Sequence, residues 1–306
     1  MKKIRYAIEA FFLYLLMAIF SIMPVGLASG TGGLIGKVIG PRLAASRKAL
    51  RNLKNALPAK SEEEYQQIIQ DMWENLGRIM AEYPHLETIA RKRTVVEIPH
   101  EVEEIIQTTK HSILFIGGHI GNWEVNGAAA LEQNYIHTTY LYRPPNNPPV
   151  DRLLDHYRSL KGKLSGIPKA KSGTRSIVRL LKEGKHLGIL IDQKYNEGIA
   201  VPFFHRPAMT SPVFVSFAQS YGAHLIPCRS ERLNHGPNFK LTLYPPIPAL
   251  NEDGEKRPIE DVVNDTHRLL EGWITERPDQ WLWLHRRWDS ASLKQEKVDE
   301  NDSTAL

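Results

Sequence analysis

Residues 10–29 (AFFLYLLMAIFSIMPVGLAS) run for twenty positions without a charged side chain. About 20 apolar residues are what a helix needs to cross the core of a bilayer, so the run predicts a membrane-anchoring segment. Two other readings fit the same residues. One is a signal peptide led by MKKIR and ending in the small residues Ala28-Ser29-Gly30, although Glu9 and Pro24 are poorly placed for one. The other is a helix buried in the protein or lying in the membrane interface. The flank narrows the choice. No Asp or Glu occurs from Ala10 to Lys60, a stretch that carries Lys37, Arg42, Arg47, Lys48, Arg51, Lys54 and Lys60. A basic segment after an apolar run suits the anionic surface of a cytoplasmic leaflet; a solvated helix face is the plain alternative. Lys2, Lys3 and Arg5 are basic as well, so charge alone does not fix which side each end faces.

With 306 residues, 42% of them hydrophobic and 24% charged, the chain can bury a full core. Its net charge of +5 favours anionic partners without choosing among nucleic acid, lipid and an acidic carrier protein. The single cysteine, Cys228, excludes an internal disulfide and a cysteine-based zinc site, and reads as a small buried hydrophobe.

Residues 42–57 have helical spacing and end before Pro58. Ser61-Glu62-Glu63-Glu64 is a capping-box pattern that opens a second helix over about 61–82. Beyond it, short apolar runs alternate with helical stretches. Ser112–Ile116, Ile136–Leu141, His186–Ile191 and His224–Cys228 read as strands, and Lys240–Tyr244 as a further strand hairpin-paired with 225–231. Helical patterns fall at about 122–133, 149–161, 174–184, 212–222 and 259–276. This alternation predicts an α/β fold, a central mixed sheet flanked by helices. The division expected is a membrane anchor over 1–30, a basic helical segment over 31–92, an α/β domain over 93–292 and a disordered tail over 293–306.

The chemistry concentrates in Gly118-His119-Ile120-Gly121-Asn122-Trp123-Glu124. The strand Ile113–Ile116 runs into Gly117-Gly118, where the backbone can turn sharply and approach a ligand. His119 then stands at the carboxyl end of a strand, where α/β enzymes place their chemistry. Asn122 can cap a helix starting near Trp123, and Glu124 in its first turn can point back at the imidazole. Such a pair makes His119 a general base near neutral pH with a carboxylate on its other nitrogen. Glycine amides of the turn can hold an oxyanion. A histidine and a glutamate five apart prove little by themselves, and a buried structural histidine is the bland alternative.

Other segments add to the pair. GGHIGNWE resembles the H-x4-D/E motif of the lipid A biosynthesis (lauroyl and myristoyl) late acyltransferases, within the glycerol-3-phosphate and lysophospholipid acyltransferase superfamily. Tyr142-Arg143-Pro144-Pro145-Asn146-Asn147-Pro148 is similar to that family's Y-R-P-x-x-N-P segment. Gly173-Thr174-Arg175 leading into Leu180-Leu181-Lys182-Glu183-Gly184 resembles a further block. Asp192-Gln193-Lys194-Tyr195 with Val201-Pro202-Phe203-Phe204 looks like its D-x-x-Y…V-P-F-F block. Pro278-Asp279-Gln280-Trp281-Leu282-Trp283-Leu284-His285-Arg286-Arg287 is similar to its P-E-Q-Y-x-W-L-H-R-R signature.

The resemblance implies a glycerol-3-phosphate acyltransferase-like fold at the cytoplasmic face of the bacterial inner membrane. It implies acyl transfer from acyl-acyl carrier protein, or acyl-coenzyme A, to a hydroxyl of a lipid A precursor, with no metal or other cofactor. By position His119 is the base and Glu124 its partner. Arg143, Arg175, Asp192 and Asn122 are the expected substrate-binding residues, with Arg175 on a phosphate or the acyl donor and Asp192 shaping the pocket. The expected partners are the acyl carrier protein, the lipid A precursor and anionic inner-membrane lipids; nucleic acid is not expected. His205 departs from the glycine that often follows V-P-F-F, in a loop expected to line the acyl pocket. Two other readings stay open. One is an acyltransferase acting on another glycolipid such as a phosphatidylinositol mannoside, and the other is a non-catalytic scaffold that binds anionic lipid.

Overall fold

The computed structural model describes residues 2–169 and 171–288, with the side chains of all but 171 and 172. The tail expected to be disordered lies outside these residues. Among the described residues the strands are β1 (Thr94–Glu97), β2 (Ile113–Gly117), β3 (Thr138–Tyr142), β4 (Ser165–Pro168), β5 (His186–Leu190), β6 (Ile199–Phe203), β7 (Arg206–Thr210), β8 (His224–Leu233) and β9 (Asn238–Leu243). Seven form one sheet in the order β1-β9-β8-β2-β5-β3-β4, while β6 and β7 make a separate hairpin. Every neighbouring pair in the large sheet is parallel except β8–β9, the expected hairpin, whose register sets Cys228 against Leu243. The predicted mixed α/β sheet is therefore present. The strands that sequence patterning misses are the four-residue edges β1 and β4 and the hairpin. Short edge strands carry too little periodicity to register.

The central strand shows why both faces are covered. β2 is buried throughout, and its side chains alternate between two cores. Leu114 and Ile116 join one apolar cluster; Ile113 and Phe115 join another. On the first face lie α3 (Ala45–Ala56), α4 (Glu62–Glu82), α9 (Lys171–Lys182), α10 (Val213–Tyr221), α11 (Ile259–Glu276), the hairpin, and the buried Trp281, Trp283 and Trp288. On the second lie α5 (Leu86–Lys92), α6 (His100–Thr108) and α7 (Val125–Glu132). The tryptophans thus belong to a packed C-terminal element.

The uncharged N-terminal run is not one helix. Pro24 adopts extended backbone and divides it into α1 (Lys2–Ile22) and α2 (Val25–Ile39). Among the described residues α1 is the one helix long and apolar enough to cross a membrane. One face of α1 packs on the body. Met17 and Leu13 meet Ile79, Tyr83 and Leu153, the last on α8 (Pro148–Arg158). Asn147 Nδ2 donates to Tyr6 O at 2.9 Å, and Tyr14 Oη donates to Pro149 O at 3.3 Å. The opposite face leaves Ile4, Ile8, Phe11, Phe12, Leu15 and Ile19 exposed.

Helix α2 lies against α4, which opens with the predicted capping box. Ser61 Oγ accepts from Glu64 N at 3.2 Å, and Ser61 N donates to Glu64 Oε2 at 2.8 Å. The two helices touch backbone to backbone. A Cβ on Gly36 would stand 2.1 Å from Trp73 O, and one on Gly77 would stand 2.1 Å from Gly32 O. Buried Glu82 at the end of α4 ties the pieces together. It accepts from Ser29 on α2 at 2.7 Å, from Arg232 on β8 at 2.9 Å and from Asn122 beside His119 at 2.8 Å. Gly36→Val should therefore lower unfolding stability by about 1–3 kcal/mol. Gly30→Ala, whose methyl meets no neighbour, should stay close to wild type. Denaturant titration of both variants in detergent checks this, and equal stabilities would contradict the close contact.

Candidate active site

His119 follows β2 directly, and Asp192 follows β5, its parallel neighbour. Asp192 is completely buried. Its Oδ1 lies 2.7 Å from His119 Nδ1, while Oδ2 accepts from His119 N and from Trp281 Nε1, each at 2.8 Å. Burial works against charge on this carboxyl. The adjacent His119 outweighs it and holds the group well below the usual carboxylate range. An ionised carboxylate only accepts, so Nδ1 carries a proton, and in the neutral imidazole Nε2 presents the lone pair.

The spacing of five places Glu124 behind the imidazole, but the structure puts Asp192 there. Glu124 instead accepts from Arg158 Nε at 2.7 Å and Nη2 at 2.8 Å, from Tyr83 Oη at 2.6 Å and from Trp123 Nε1 at 3.1 Å. Burial opposes its charge, and Arg158 overrides that, so its titration is lowered. The reason lies in the turn. Gly121 has φ +61°, and a Cβ there would stand 2.0 Å from Ser230 O, so this glycine, and not Gly117 or Gly118, sets the bend. Asn122 Oδ1 then accepts from Glu124 N at 3.2 Å, and the helix begins at Val125. Glu124 stands one residue before it and faces Tyr83 and Arg158.

Three of the turn's amides are occupied. His119 N is held by Asp192, Ile120 N donates to Gly118 O at 2.8 Å, and Gly121 N donates to Gln280 O at 3.0 Å. The expected oxyanion hole of turn amides is not formed from these three groups. The C-terminal segment straps the turn: Leu282 N donates to His119 O at 3.0 Å, and Ile120 bridges Trp281.

His119 lines a cavity of about 340 Å³, within the usual range for small-molecule sites. Apolar lining comes from α6, α7 and the β1–β9–β8 side of the sheet: Val96, Ile106, Phe115, Ala130, Leu241 and Leu243. Polar lining comes from Glu124, Arg158, Gln193 and His285, and from Arg143 and Lys169 after β3 and β4. Cys228 lines the wall too, and burial pushes its thiol up to about 12, so it stays protonated near neutral pH.

Of the residues predicted from sequence, His119, Glu124 and Arg143 line the cavity, and Asp192 backs His119. Asn122 does not line it; it is buried and spends its amide on Glu82. Arg175 is exposed on α9, outside the lining. The Phe203-Phe204-His205 loop packs elsewhere, with both phenylalanines in the tryptophan core. Sequence reasoning missed Arg158, which ends α8 outside every block, and His285 and Gln193, which stood in blocks without an assigned role. Among the described residues no group of three His, Cys, Asp or Glu side chains is placed to hold a metal ion.

A scan against family models matches the bacterial lipid A biosynthesis acyltransferases over residues 1–290. The chain belongs to this family. It is 27% identical over 252 residues to the lipid A biosynthesis lauroyltransferase of Escherichia coli (strain K12), covering 78% of this chain and 76% of that protein. It is 25% identical over 268 residues to the palmitoleoyltransferase of the same organism, covering 84% and 83%, and equally similar to a lipid A biosynthesis acyltransferase of Shigella flexneri. As a member of the family, the chain is an O-acyltransferase of lipid A biosynthesis.

Two histidines, buried His267 and half-buried His285, give this acyltransferase a pH-dependent stability. Burial, then the charge of Arg287, lowers His267 to about 3; burial, then His119, lowers His285 to about 4. Folded, both refuse a proton that the unfolded chain accepts near pH 6.5. Stability therefore falls as pH drops from about 6.5, by about 1–2 kcal/mol per histidine at pH 5. Denaturation at pH 7 and pH 5 should show this loss, and His267→Phe should show a smaller one. An unchanged pH slope in that variant would contradict the assignment.

Proposed function

We propose that this protein transfers a fatty acyl chain from an acyl thioester, carried by acyl carrier protein, directly onto a hydroxyl of a lipid A precursor. The observation that carries the reading is the His119–Asp192 pair beside a cavity whose far lining is apolar. His119 Nε2 takes the proton of the acceptor hydroxyl, whose oxygen attacks the thioester carbonyl. The tetrahedral intermediate then expels the thiolate, which recovers that proton from His119. Asp192 fixes the tautomer and stabilises the imidazolium, the part that sequence spacing gives to Glu124. No acyl-enzyme is needed, and a protonated Cys228 is a poor nucleophile for one.

The acyl chain lies along the apolar lining between α6, α7 and the sheet. Glu124 keeps a place in the machinery by holding Arg158 in the cavity wall with Tyr83. Arg158 Nη1 makes no hydrogen bond among the described residues, and Arg143 lines the same side. These guanidiniums suit the phosphates of the lipid or of the carrier's prosthetic arm. The apolar outer faces of α1 and α2 enter the cytoplasmic leaflet side-on. Packing of α1 from Tyr6 to Phe20 on α8, α4 and α2 supports partial insertion over a free-standing span. Basic Arg47 and Arg51 on α3 meet anionic headgroups.

His119→Ala and Asp192→Asn should each lower the rate of acyl transfer by about 10²–10⁴-fold while the protein stays folded. Transfer of labelled acyl chains to a lipid A precursor measures it, and a loss under tenfold in both would remove the pair from the chemistry. Ala130→Phe, which fills the apolar lining, should shift donor preference toward shorter chains in a competition among acyl thioesters of graded length. An unchanged product distribution would place the chain elsewhere.

A further inference from the structure

Building on that reading, we propose that Gln193 is a catalytic residue that donates its side-chain N–H to the oxyanion formed during acyl transfer, and that His285 is the positioning residue that holds it for this task. The need for such a donor is set by the turn. An acyl-transfer intermediate puts a full negative charge on the former carbonyl oxygen, and that charge has to meet donors already in place. The amides of His119, Ile120 and Gly121 are all spent on protein acceptors. A side-chain donor near His119 Nε2 can take their place.

Gln193 meets this requirement. Its Nε2 lies 3.3 Å from His119 Nε2 and 3.5 Å from His285 Nε2. The orientation of the amide follows from the proton inventory. With His119 Nδ1 donating to the ionised Asp192, the neutral form that acts as base carries its lone pair on Nε2, and only the NH2 end of Gln193 can face that lone pair. In the free enzyme this amide caps the base. When the acceptor hydroxyl takes that position, its proton moves to Nε2 and its oxygen bonds the thioester carbon. The carbonyl electron pair moves to oxygen, a few ångströms from the displaced N–H. The same N–H then releases the oxygen as the carbonyl re-forms and the thiolate leaves with the proton from His119.

His285 supplies the second constraint. Its ring centroid lies 4.7 Å from that of His119, with the planes at 65°. Its backbone carbonyl accepts from Asn52 on α3 at 2.6 Å, and Trp283 O accepts from the same amide at 2.8 Å, so the strap is pinned on both sides of Leu284. Half-buried and neutral, His285 places no second positive charge beside the imidazolium, and its Nε2 accepts from Gln193.

The test is steady-state kinetics of the full-length protein in detergent, with a radiolabelled acyl-carrier thioester and a lipid A precursor. Gln193→Leu keeps the shape and removes the donor. It should lower kcat by about 10²–10³-fold, with KM for both substrates within about threefold and an unchanged melting temperature. Gln193→Glu puts an acceptor where a donor is needed and should lose at least as much. His285→Leu should lower kcat by about tenfold, corresponding to loss of the orienting bond alone, and His285→Gln should recover most of it. The inference is overturned if Gln193→Leu keeps kcat within threefold, or if Gln193→Glu matches wild type. It is overturned equally if the variants lose KM and melting temperature in place of kcat. Should the wild-type protein itself transfer no acyl chain to the precursor, the underlying functional reading fails, which is a separate result.

Discussion

Asp192 is a fully buried carboxylate, and the rest of the site is arranged around keeping it charged. Removing an ion of this kind from water costs several kcal/mol unless donors replace the solvent. Here three do: His119 N, His119 Nδ1 and Trp281 Nε1. Each comes from a different commitment of the fold. The His119 amide is set by the end of β2 beside the end of β5. The imidazole is set by the turn at Gly121. The indole is set by the C-terminal strap, itself fastened to the turn through Leu282, Gln280 and the Ile120–Trp281 bridge. A strand pair, a turn and a C-terminal segment therefore share one interaction, and what they leave for chemistry is His119 Nε2, which faces the cavity with Gln193 beside it.

The second buried carboxylate at the site has a different task. Glu124 is neutralised by Arg158 and bonded by Tyr83 and Trp123. Tyr83 and Trp123 also sit in the apolar cluster that receives α1 through Met17 and Leu13. The helix that carries the exposed apolar face is thus two contacts from the imidazole, since the Trp123 and His119 rings lie 4.9 Å apart. The helix with the exposed apolar face therefore packs directly on Tyr83 and Trp123, two residues that line the site.

The sheet was legible because its central strands are long and apolar, and the site's centre was legible because Gly-Gly-His follows one of them. The partner of His119 was not. Residues 119 and 124 are neighbours in the chain, whereas Asp192 is brought alongside only by the parallel pairing of β2 and β5, which no local pattern encodes. Asn122, expected as a helix cap and substrate-binding residue, caps with its Oδ1 but has its amide nitrogen consumed by the buried network of Glu82 and Arg232. Arg175 sits in a block that reads as functional, yet α9 turns it to the surface. Arg158 gave no signal, because a lone arginine at a helix end reads as a favourable charge on the dipole. The glycine that matters for the bend, Gly121, is identified by its positive φ and its approach to Ser230 O, neither of which sequence reveals.

In the proposed reaction His119, held by Asp192, activates the lipid's own hydroxyl without an acyl-enzyme. Mass spectrometry of a stoichiometric reaction of the protein, an acyl-carrier thioester and a lipid A precursor tests it most directly. The account predicts that the lipid gains one acyl group for each free carrier thiol released while the protein mass stays unchanged at every time sampled. An acyl group found on the protein, or thiol released as free fatty acid with no gain on the lipid, would contradict it.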